Sequence, residues 1–248
     1  MPIFYMLKKK YILIYLVSLH LFLIVILVKS NTISLVERKL GIPSPSTELT
    51  SYYKTLVVFQ QRIDKNSLDK AIIFIGDSHT QGLSTTAIHT NSINFGIASD
   101  TTIGVLNRIP LYSSIKHAKA IVLAVGINDL FIRTNSDTLK NLKQILKLLP
   151  KRIPVIVCAI FPVAQLAPEK SNLNKRIKSL NSEIKKLTQQ NKNLHFLSIN
   201  KLLLNGGHTL SKQYHIGDGI HLNTAGYKLW INELHKKLKL LNSSLERK

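Results

Sequence analysis

The feature that most limits the fold of this chain is an alternation of short apolar runs with longer segments of mixed polarity, beginning at residue 71. Runs rich in Ile, Val and Leu are predicted to form strands at 71–75, 93–95, 120–125, 155–160 and 194–198. Helices are predicted between and after them, at 80–90, 102–110, 137–149, 172–191 and 223–241. Strands that alternate with helices pair in parallel and carry helices on both faces of the sheet. We therefore predict an α/β domain over residues 71–241, with its functional site beyond the carboxyl ends of the strands.

A long uncharged segment near the N-terminus indicates a membrane anchor. Three lysines at 8–10 precede residues 11–28, which carry no charge. As a helix this segment would be roughly 27 Å long, close to the hydrocarbon thickness of a bilayer. A cleaved signal peptide is the alternative, but such peptides have a shorter apolar part and small residues before the cut. We predict that residues 1–29 form a cytoplasmic tail and a transmembrane signal anchor, and that the rest of the chain lies on the extracytoplasmic side.

Residues 30–70 are predicted to form a linker followed by a helix. Gly41, Pro43 and Pro45 are typical of a linker. The helix is predicted to begin near residue 46 and to end near residue 64. The residues expected on one face of it are Leu49, Tyr53, Leu56, Gln60 and Ile63. Residues 242–248 are predicted to be a C-terminal tail.

The chain is strongly basic, with 34 Lys and Arg against 13 Asp and Glu and a formal net charge of +21. One interpretation is an anionic partner such as lipid headgroups, an envelope polymer or nucleic acid. The other is a compositional habit, which we favour because the charge is spread along the chain. No arginine-rich arm or RNA-binding signature accompanies it, so no nucleic-acid partner is expected. The lone cysteine, Cys158, lies in an apolar run and is predicted to be a core residue.

Three predicted strands are followed by polar or glycine residues that suit the chemistry of acyl transfer. Gly-Asp-Ser-His at 76–79 follows the first strand, and a serine at the start of a helix has an exposed hydroxyl and an N–H without an intrahelical partner. That placement suits a nucleophile, although Ser78 or Asp77 could equally be just a helix N-cap. Gly96 follows the second strand, where its N–H can point at an oxyanion. Asn128 follows the third, where its amide can donate to the same charge. A simple turn is the alternative at both of these positions, with Asp129 capping the next helix in the second case.

An aspartate and a histidine three residues apart, Asp218 and His221, precede the last predicted helix. This spacing places both side chains on one side of a single turn. The carboxylate can then fix the imidazole tautomer while the other ring nitrogen faces the serine. A loop histidine beside a capping aspartate is the alternative. His215 is a local rival, but no acidic residue lies three positions before it.

These motifs, in this order, resemble those of the SGNH hydrolases, also called the GDSL esterase/lipase family. The resemblance implies a three-layer αβα sandwich with a five-stranded parallel sheet of the flavodoxin-like type. It implies Ser78 as the nucleophile, His221 as the general base and then the acid, and Asp218 as the group that orients the imidazole. The oxyanion hole would consist of the Ser78 N–H, the Gly96 N–H and the Asn128 amide. No metal or cofactor is implied.

The resemblance covers residues 71–240 and contains two departures from the family pattern. His79 stands where the family often has Leu, and we expect it to be a solvent-facing helix residue, with a cation near the pocket as the alternative. Ser99 stands where relatives often have Gly, in the sequence Gly-Asp-Thr-Thr. We expect this change to alter the turn slightly and to touch no catalytic group.

The function implied by the resemblance is that of a serine esterase that works through a Ser-His-Asp triad and an acyl-enzyme. A short acyl group on a cell-envelope carbohydrate or lipid is suggested by the predicted compartment alone. One alternative is an envelope O-acyltransferase that uses the same residues, and another is a non-catalytic anchored binding protein. The expected partners are an ester substrate and, through residues 11–28, the membrane.

Overall fold

The computed structural model describes residues 2–29, 50–165, 172–204 and 207–245. The chain divides into two compact units, Met1–Ser46 and Thr47–Lys248. In the first unit, helix α1 spans Pro2–Lys29. Across the described part of the chain, no helix has both the length and the apolarity needed to cross a membrane. The transmembrane signal anchor is therefore not supported by the structure, and the extracytoplasmic location stays a prediction.

The second unit is built on one five-stranded parallel sheet. Its strands, in chain order, are β1 (Ile72–Gly76), β2 (Ser92–Gly96), β3 (Ala120–Ala124), β4 (Val155–Cys158) and β5 (Leu194–Leu197). They lie in the order β2-β1-β3-β4-β5, and every neighbouring pair is parallel. This is the flavodoxin-like order, so the predicted fold class is confirmed. All five strands fall within the predicted ranges or one residue beyond them.

The helices of this unit lie between and around the strands. They are α2 (Ser51–Lys65), α3 (Ser78–Gln81), α4 (Thr102–Arg108), α5 (Asp129–Ile132), α6 (Asn135–Leu148), α7 (Leu173–Gln189), α8 (Asn200–Leu203) and α9 (Thr224–Leu245). The three longest helices of the predicted domain agree with the sequence pattern, except that α9 continues to Leu245, through the first four residues of the predicted C-terminal tail. The short helices α5 and α8 were not predicted, because four residues carry too little periodicity to be recognised.

Both faces of the sheet are buried, which makes the architecture a three-layer sandwich. Successive residues of each strand point to opposite faces, so Ile73 and Ile75 enter one core while Ile72 and Phe74 enter the other. The helix residues packed on the first face are Val105, Leu142, Ile145, Ile177, Leu180 and Ile184. Those on the second face are Leu203, Trp230, Leu234 and Leu238. Cys158 is buried in the second core, as predicted, and burial raises the pKa of its thiol to about 12.

Helix α2 begins later than predicted, and its buried face includes Tyr53 and Gln60 as predicted but is turned towards Val57 and Asp64. Thr50 caps it by accepting a hydrogen bond from the Tyr53 N–H. Its buried residues are Tyr53, Val57, Gln60 and Asp64. Ile63, which was expected on the same face as Tyr53, is half exposed, because buried Asp64 takes the inner position and accepts hydrogen bonds from Ser113 and Ser114. Leu49 and most of the predicted linker lie outside the described residues.

The helix predicted over 80–90 is wrong, since α3 ends at Gln81 and only a short 3₁₀ turn, Thr85–Ala87, follows. The reason is a side chain on the neighbouring strand. Asn94 donates from its amide to the carbonyl oxygens of Thr80, at 2.7 Å, and Leu83, at 3.0 Å. These carbonyls are therefore bonded across to β2, although the Thr80 carbonyl also accepts from the Leu83 N–H at 3.0 Å. The segment after α3 is held against the strand that flanks β1.

Close packing of α3 on β2 also fixes the role of Gly96. A Cβ atom at residue 96 would lie 2.1 Å from the Gln81 backbone nitrogen and 2.6 Å from the carbonyl carbon of Thr80. Both contacts are with backbone, which cannot move aside as a flexible side chain could. Only glycine allows this approach.

We predict that Gly96→Ala lowers the free energy of unfolding by about 3 kcal/mol, because α3 must move away from the sheet. Urea unfolding of the purified chain measures the change. Gly207→Ala is the matched control, since the nearest atom to a Cβ there is 3.5 Å away, an ordinary contact distance. Equal stability of the two variants would show that α3 does not pack on β2 as described.

Candidate active site

Ser78 lies at the carboxyl end of β1, as the first residue of α3. Asp77 is the N-cap of this helix, and its carboxylate accepts a hydrogen bond from the His79 N–H at 3.0 Å. The N-cap alternative for Ser78 is therefore wrong, because Asp77 has that role. The Ser78 side chain is left to project from the helix start, where its backbone N–H lies among those without an intrahelical partner.

The structure brings Ser78, His221 and Asp218 together in one hydrogen-bonded chain. Ser78 Oγ lies 2.9 Å from His221 Nε2, and His221 Nδ1 lies 2.5 Å from Asp218 Oδ2. The other carboxylate oxygen of Asp218 accepts the backbone N–H groups of Ile220 and His221, each at 2.9 Å. The carboxylate is thus held from two sides, and the imidazole bridges it to the serine hydroxyl.

The hydrogen bonds around Asp218 keep its carboxyl group ionised. Its partial burial alone would raise the pKa. The hydrogen bonds from the His221 ring and from the Ile220 and His221 backbone outweigh that effect and lower the pKa of Asp218 to about 2. A permanent negative charge beside Nδ1 stabilises the protonated imidazole that proton abstraction from a serine would create.

His215, the local rival to His221, shapes the loop instead. Its Nδ1 accepts the N–H groups of Gly217 and Gly219, at 3.0 and 3.1 Å. Both glycines have positive φ, 110° and 76°, so the loop makes two left-handed turns around Asp218. His215 is therefore a support for the aspartate-bearing turn.

Asn128 lies at the carboxyl end of β3, at the N-cap position of α5. One amide hydrogen of Asn128 is donated to the Asp100 carbonyl at 2.8 Å, which fixes the side chain and leaves the second hydrogen of the same amide group. Asp129, which was considered as a cap, instead accepts from the Thr102 N–H at 2.9 Å and from the Arg133 guanidinium at 3.1 Å. The loop after β3 is thereby tied to the start of α4.

Gly96 differs from its predicted role. Its N–H donates to Asn94 Oδ1 at 2.8 Å, and its carbonyl accepts from Gln60 Nε2 at 3.0 Å. Both backbone groups are therefore engaged in holding the end of β2, so the structure does not offer this N–H as an oxyanion donor. The packing of α3, described above, gives the physical reason for a glycine at this position.

The loop after β2 contains a residue with a strained backbone, Ser99. Ser99 has a φ of 63°, in the left-handed region that favours glycine. On one side of it, the Ala98 N–H donates to Gln81 Oε1 in α3; on the other, the Asp100 carbonyl accepts from Asn128. Ser99 therefore lies in the segment that joins the serine helix to Asn128. In the sequence, the only sign of this strain is that Ser99 stands where the family resemblance implies a glycine.

The guanidinium of Arg108, a fully buried cation, supports the loop after β2. Arg108 is 0% exposed and donates to Asp100 at 2.8 Å, to the Gly76 carbonyl at 3.0 Å and to Gln60 Oε1 at 3.3 Å. The Tyr112 hydroxyl also donates to Gln60 Oε1, at 2.6 Å. Burial raises the pKa of Asp100 to about 6, against the opposing effect of the Arg108 guanidinium. Arg108 thus connects the end of β1, which carries the serine, with the loop that holds Asn128.

His79 is buried, so the expectation of a solvent-facing residue is wrong. Only 5% of the residue is exposed. Its Nε2 lies 3.0 Å from the Ile220 carbonyl, and its ring lies 5.5 Å from the His221 ring and edge-on to Phe161. The loop that carries His221 folds over the short helix α3. His79 is therefore covered by that loop and does not face water. His79 therefore joins the serine helix to the loop of the second histidine.

A small cavity adjoins the serine segment. It has a volume of about 20 Å³ and is lined by Asp77, His79, Ala124, Val125, Ile127, Ala159, Ile160 and Phe161. A space of this size holds about one water-sized group. Its walls come from the ends of β1, β3 and β4, so it lies at the edge of the sheet that carries Ser78.

Comparisons with known proteins agree with this geometry. The GDSL-like Lipase/Acylhydrolase family matches residues 74–229, which is more than half of the chain. No curated protein matches the sequence.

Solved structures share the fold. A GDSL-like lipase from Bacteroides thetaiotaomicron has a TM-score of 0.63 and 21% identity, covering 75% of this chain and 99% of that one. A lipase/acylhydrolase from Enterococcus faecalis has a TM-score of 0.59 and 22% identity, covering 68% and 95%. An acetyl esterase, solved as a mutant with acetate, has a TM-score of 0.55 and 16% identity, covering 71% and 99%.

The fold and the family match together define the class of this protein. The chain belongs to the GDSL-like lipase/acylhydrolase family, the SGNH hydrolases. It is a serine hydrolase that acts on ester bonds.

We predict that the stabilising effect of the Asp218 carboxylate depends on pH. Because the pKa falls from 3.8 to about 2 on folding, the contribution is present above about pH 4 and is lost as the pH falls towards about 2. The difference in free energy of unfolding between the parent chain and Asp218→Asn should therefore be larger at about pH 6 than at about pH 3. Urea unfolding at both pH values measures it, and a difference that grows on acidification would contradict the hydrogen bonds described for Asp218.

Proposed function

We propose that the protein hydrolyses a short acyl ester through an acyl-enzyme on Ser78, with His221 as base and acid and Asp218 as its orienter. The observation that carries this proposal is the unbroken hydrogen-bonded chain from Ser78 Oγ through the imidazole to the Asp218 carboxylate. Nucleophile, base and orienting group stand in the geometry that acyl transfer by serine requires.

In the first half-reaction, Ser78 Oγ attacks the ester carbonyl while His221 Nε2 takes the hydroxyl proton. Asp218 stabilises the imidazolium, which then gives the proton to the leaving alcohol. Water repeats the sequence on the acyl-enzyme and releases the acid. His221 can serve both halves because its Nδ1 stays bonded to the aspartate throughout.

The negative oxygen of the tetrahedral intermediate requires hydrogen-bond donors near Ser78. We assign the Ser78 N–H, at the start of α3, and the free hydrogen of the Asn128 amide to this role. The bond from Asn128 to the Asp100 carbonyl holds that amide in one orientation, as a preorganised donor must be. Gly96 is not included, because its N–H is bonded to Asn94.

The small cavity supports a short acyl group. The cavity of about 20 Å³ lies beside Asp77 and His79, the residues on either side of Ser78, and holds about one methyl-sized group; Ser78 and His221 are not among its lining residues. The shared fold with an acetyl esterase is consistent with this size. An envelope carbohydrate or lipid as the alcohol part rests on the predicted N-terminal anchor, which stays a prediction.

We predict that Ser78→Ala lowers kcat/KM for p-nitrophenyl acetate by at least about 10³-fold, because no other group can form the acyl-enzyme. Ser84→Ala is the matched control, since Ser84 is an exposed serine a few residues away whose side chain makes no capping bond. Thermal unfolding of both variants shows whether each is folded. Retained turnover by a folded Ser78→Ala variant would remove Ser78 from the mechanism.

The same assay with esters of graded acyl length tests the size of the acyl site. Acetate should be turned over faster than octanoate, because the longer chain exceeds the cavity. The opposite order would refute the short acyl group while leaving the assignment of Ser78 intact.

A further inference from the structure

A second, much larger cavity lies at the same edge of the sheet as Ser78, next to the edge strand β5. It has a volume of about 730 Å³, within the usual range for pockets that bind small molecules. Its walls are α7, the end of β5 and α8, together with Pro162, which follows β4. It shares no lining residue with the small cavity beside the serine. We call it the α7 groove.

The floor of the α7 groove is apolar. Pro162, Ile177, Phe196 and Leu204 line it. Ile177 is 2% exposed and belongs to the core of the sheet, so the floor continues into the folded interior. A ligand that lay on this floor would bury apolar surface of its own.

The groove is held in shape by two asparagines of α7. Asn174 accepts from the Val163 N–H at 2.9 Å and donates to the carbonyl of the same residue at 2.8 Å. Asn181 makes the same pair of bonds with Ile160, both at 2.8 Å. These four bonds fasten α7 to the segment after β4, so the groove is a built feature rather than a gap between loosely packed helices.

The rim of the α7 groove carries positive charge. Lys175, Lys178 and Lys185 on α7 and Lys201 on α8 line it, and all four are exposed. None of the described residues that line the groove is acidic. A concave surface bordered by charges of one sign concentrates the opposite ion. The long stems of the lysines can cover an apolar chain while their ammonium groups face a headgroup.

One polar atom in the groove wall also lacks a partner. Asn200 donates from its amide nitrogen to the Ile160 carbonyl at 2.9 Å, whereas its Oδ1 is buried with no hydrogen bond among the described residues. A buried acceptor without a donor is unfavourable.

We propose that the α7 groove binds a single anionic amphiphile, with its alkyl chain on the apolar floor and its phosphate or carboxylate between the lysines. The apolar floor distinguishes this ligand from a simple inorganic anion, and the lysine rim distinguishes it from a neutral lipid. The proposal does not depend on the chemistry of Ser78, because it rests on a separate set of residues. It gives part of the chain's high positive charge a specific role.

The test uses the full-length chain in phosphatidylcholine nanodiscs, irradiated with dodecyl phosphate that carries a diazirine at the end of its chain. Mass spectrometry then maps the cross-linked peptides. Cross-links are expected in Leu173–Gln189, in 194–204 and in 207–209, the described segments that supply most of the lining. Cross-links spread over the whole surface, without enrichment in these segments, would overturn the proposal.

Matched variants separate the groove from general surface charge. Lys178→Glu with Lys185→Glu should reduce cross-linking by at least about tenfold. Lys140→Glu with Lys147→Glu should not, although these exposed lysines on α6 have the same spacing and the same change in charge. Equal loss in both double variants would show non-specific attraction and refute the groove.

A second pair of variants tests the apolar floor without changing charge. Ser182→Trp places a large side chain in the groove and should abolish cross-linking. Ser179→Trp, on the same helix but outside the lining, should leave it unchanged.

Unlabelled dodecyl phosphate should compete far better than inorganic phosphate, and equal competition would contradict a role for the alkyl chain. Competition by phosphatidylglycerol in the nanodisc identifies a bilayer lipid as the natural source, and competition by the free amphiphile alone identifies a soluble one; either result supports the groove.

Discussion

The hydrogen bond between Ser78 Oγ and His221 Nε2, 2.9 Å long, joins two residues that are 143 positions apart in the chain. No local structure can form this contact. It requires β1 to lie inside the sheet, between β2 and β3, and it requires the loop before α9 to fold back over α3. The parallel order of the strands and the left-handed turns at Gly217 and Gly219 meet these two conditions.

Buried polar side chains determine the positions of the surrounding loops. Arg108 ties the end of β1 to the loop of Asp100, and the Asp100 carbonyl in turn fixes Asn128. Asn94 fastens the segment after α3 to β2. Arg108 and Asp100 form a fully buried ion pair. Replacing either residue would leave an uncompensated buried charge, so the network is sensitive to substitution. The site depends on a scaffold that lies beneath it and does not touch a substrate.

The sequence predicted the sheet, and the proximity of Ser78, Asp218 and His221, better than the parts between them. Continuous apolar runs predicted the strands, because both faces of a parallel sheet bury apolar side chains. Spacing paired Asp218 with His221 because a single turn brings them together. The roles of Gly96 and His79 could not be predicted from the sequence. The role of Gly96 depends on how closely α3 approaches β2, and that of His79 on the loop that covers α3. Contacts between elements distant in sequence have no local signature.

The most direct measurement of the central claim is the reaction of the full-length chain with a fluorophosphonate, followed by peptide mass spectrometry. A serine activated by His221 should carry a single adduct at Ser78, and His221→Ala should slow its formation by at least about 10³-fold while the protein remains folded. An adduct at another serine, or equal labelling of the parent chain and His221→Ala, would contradict the account.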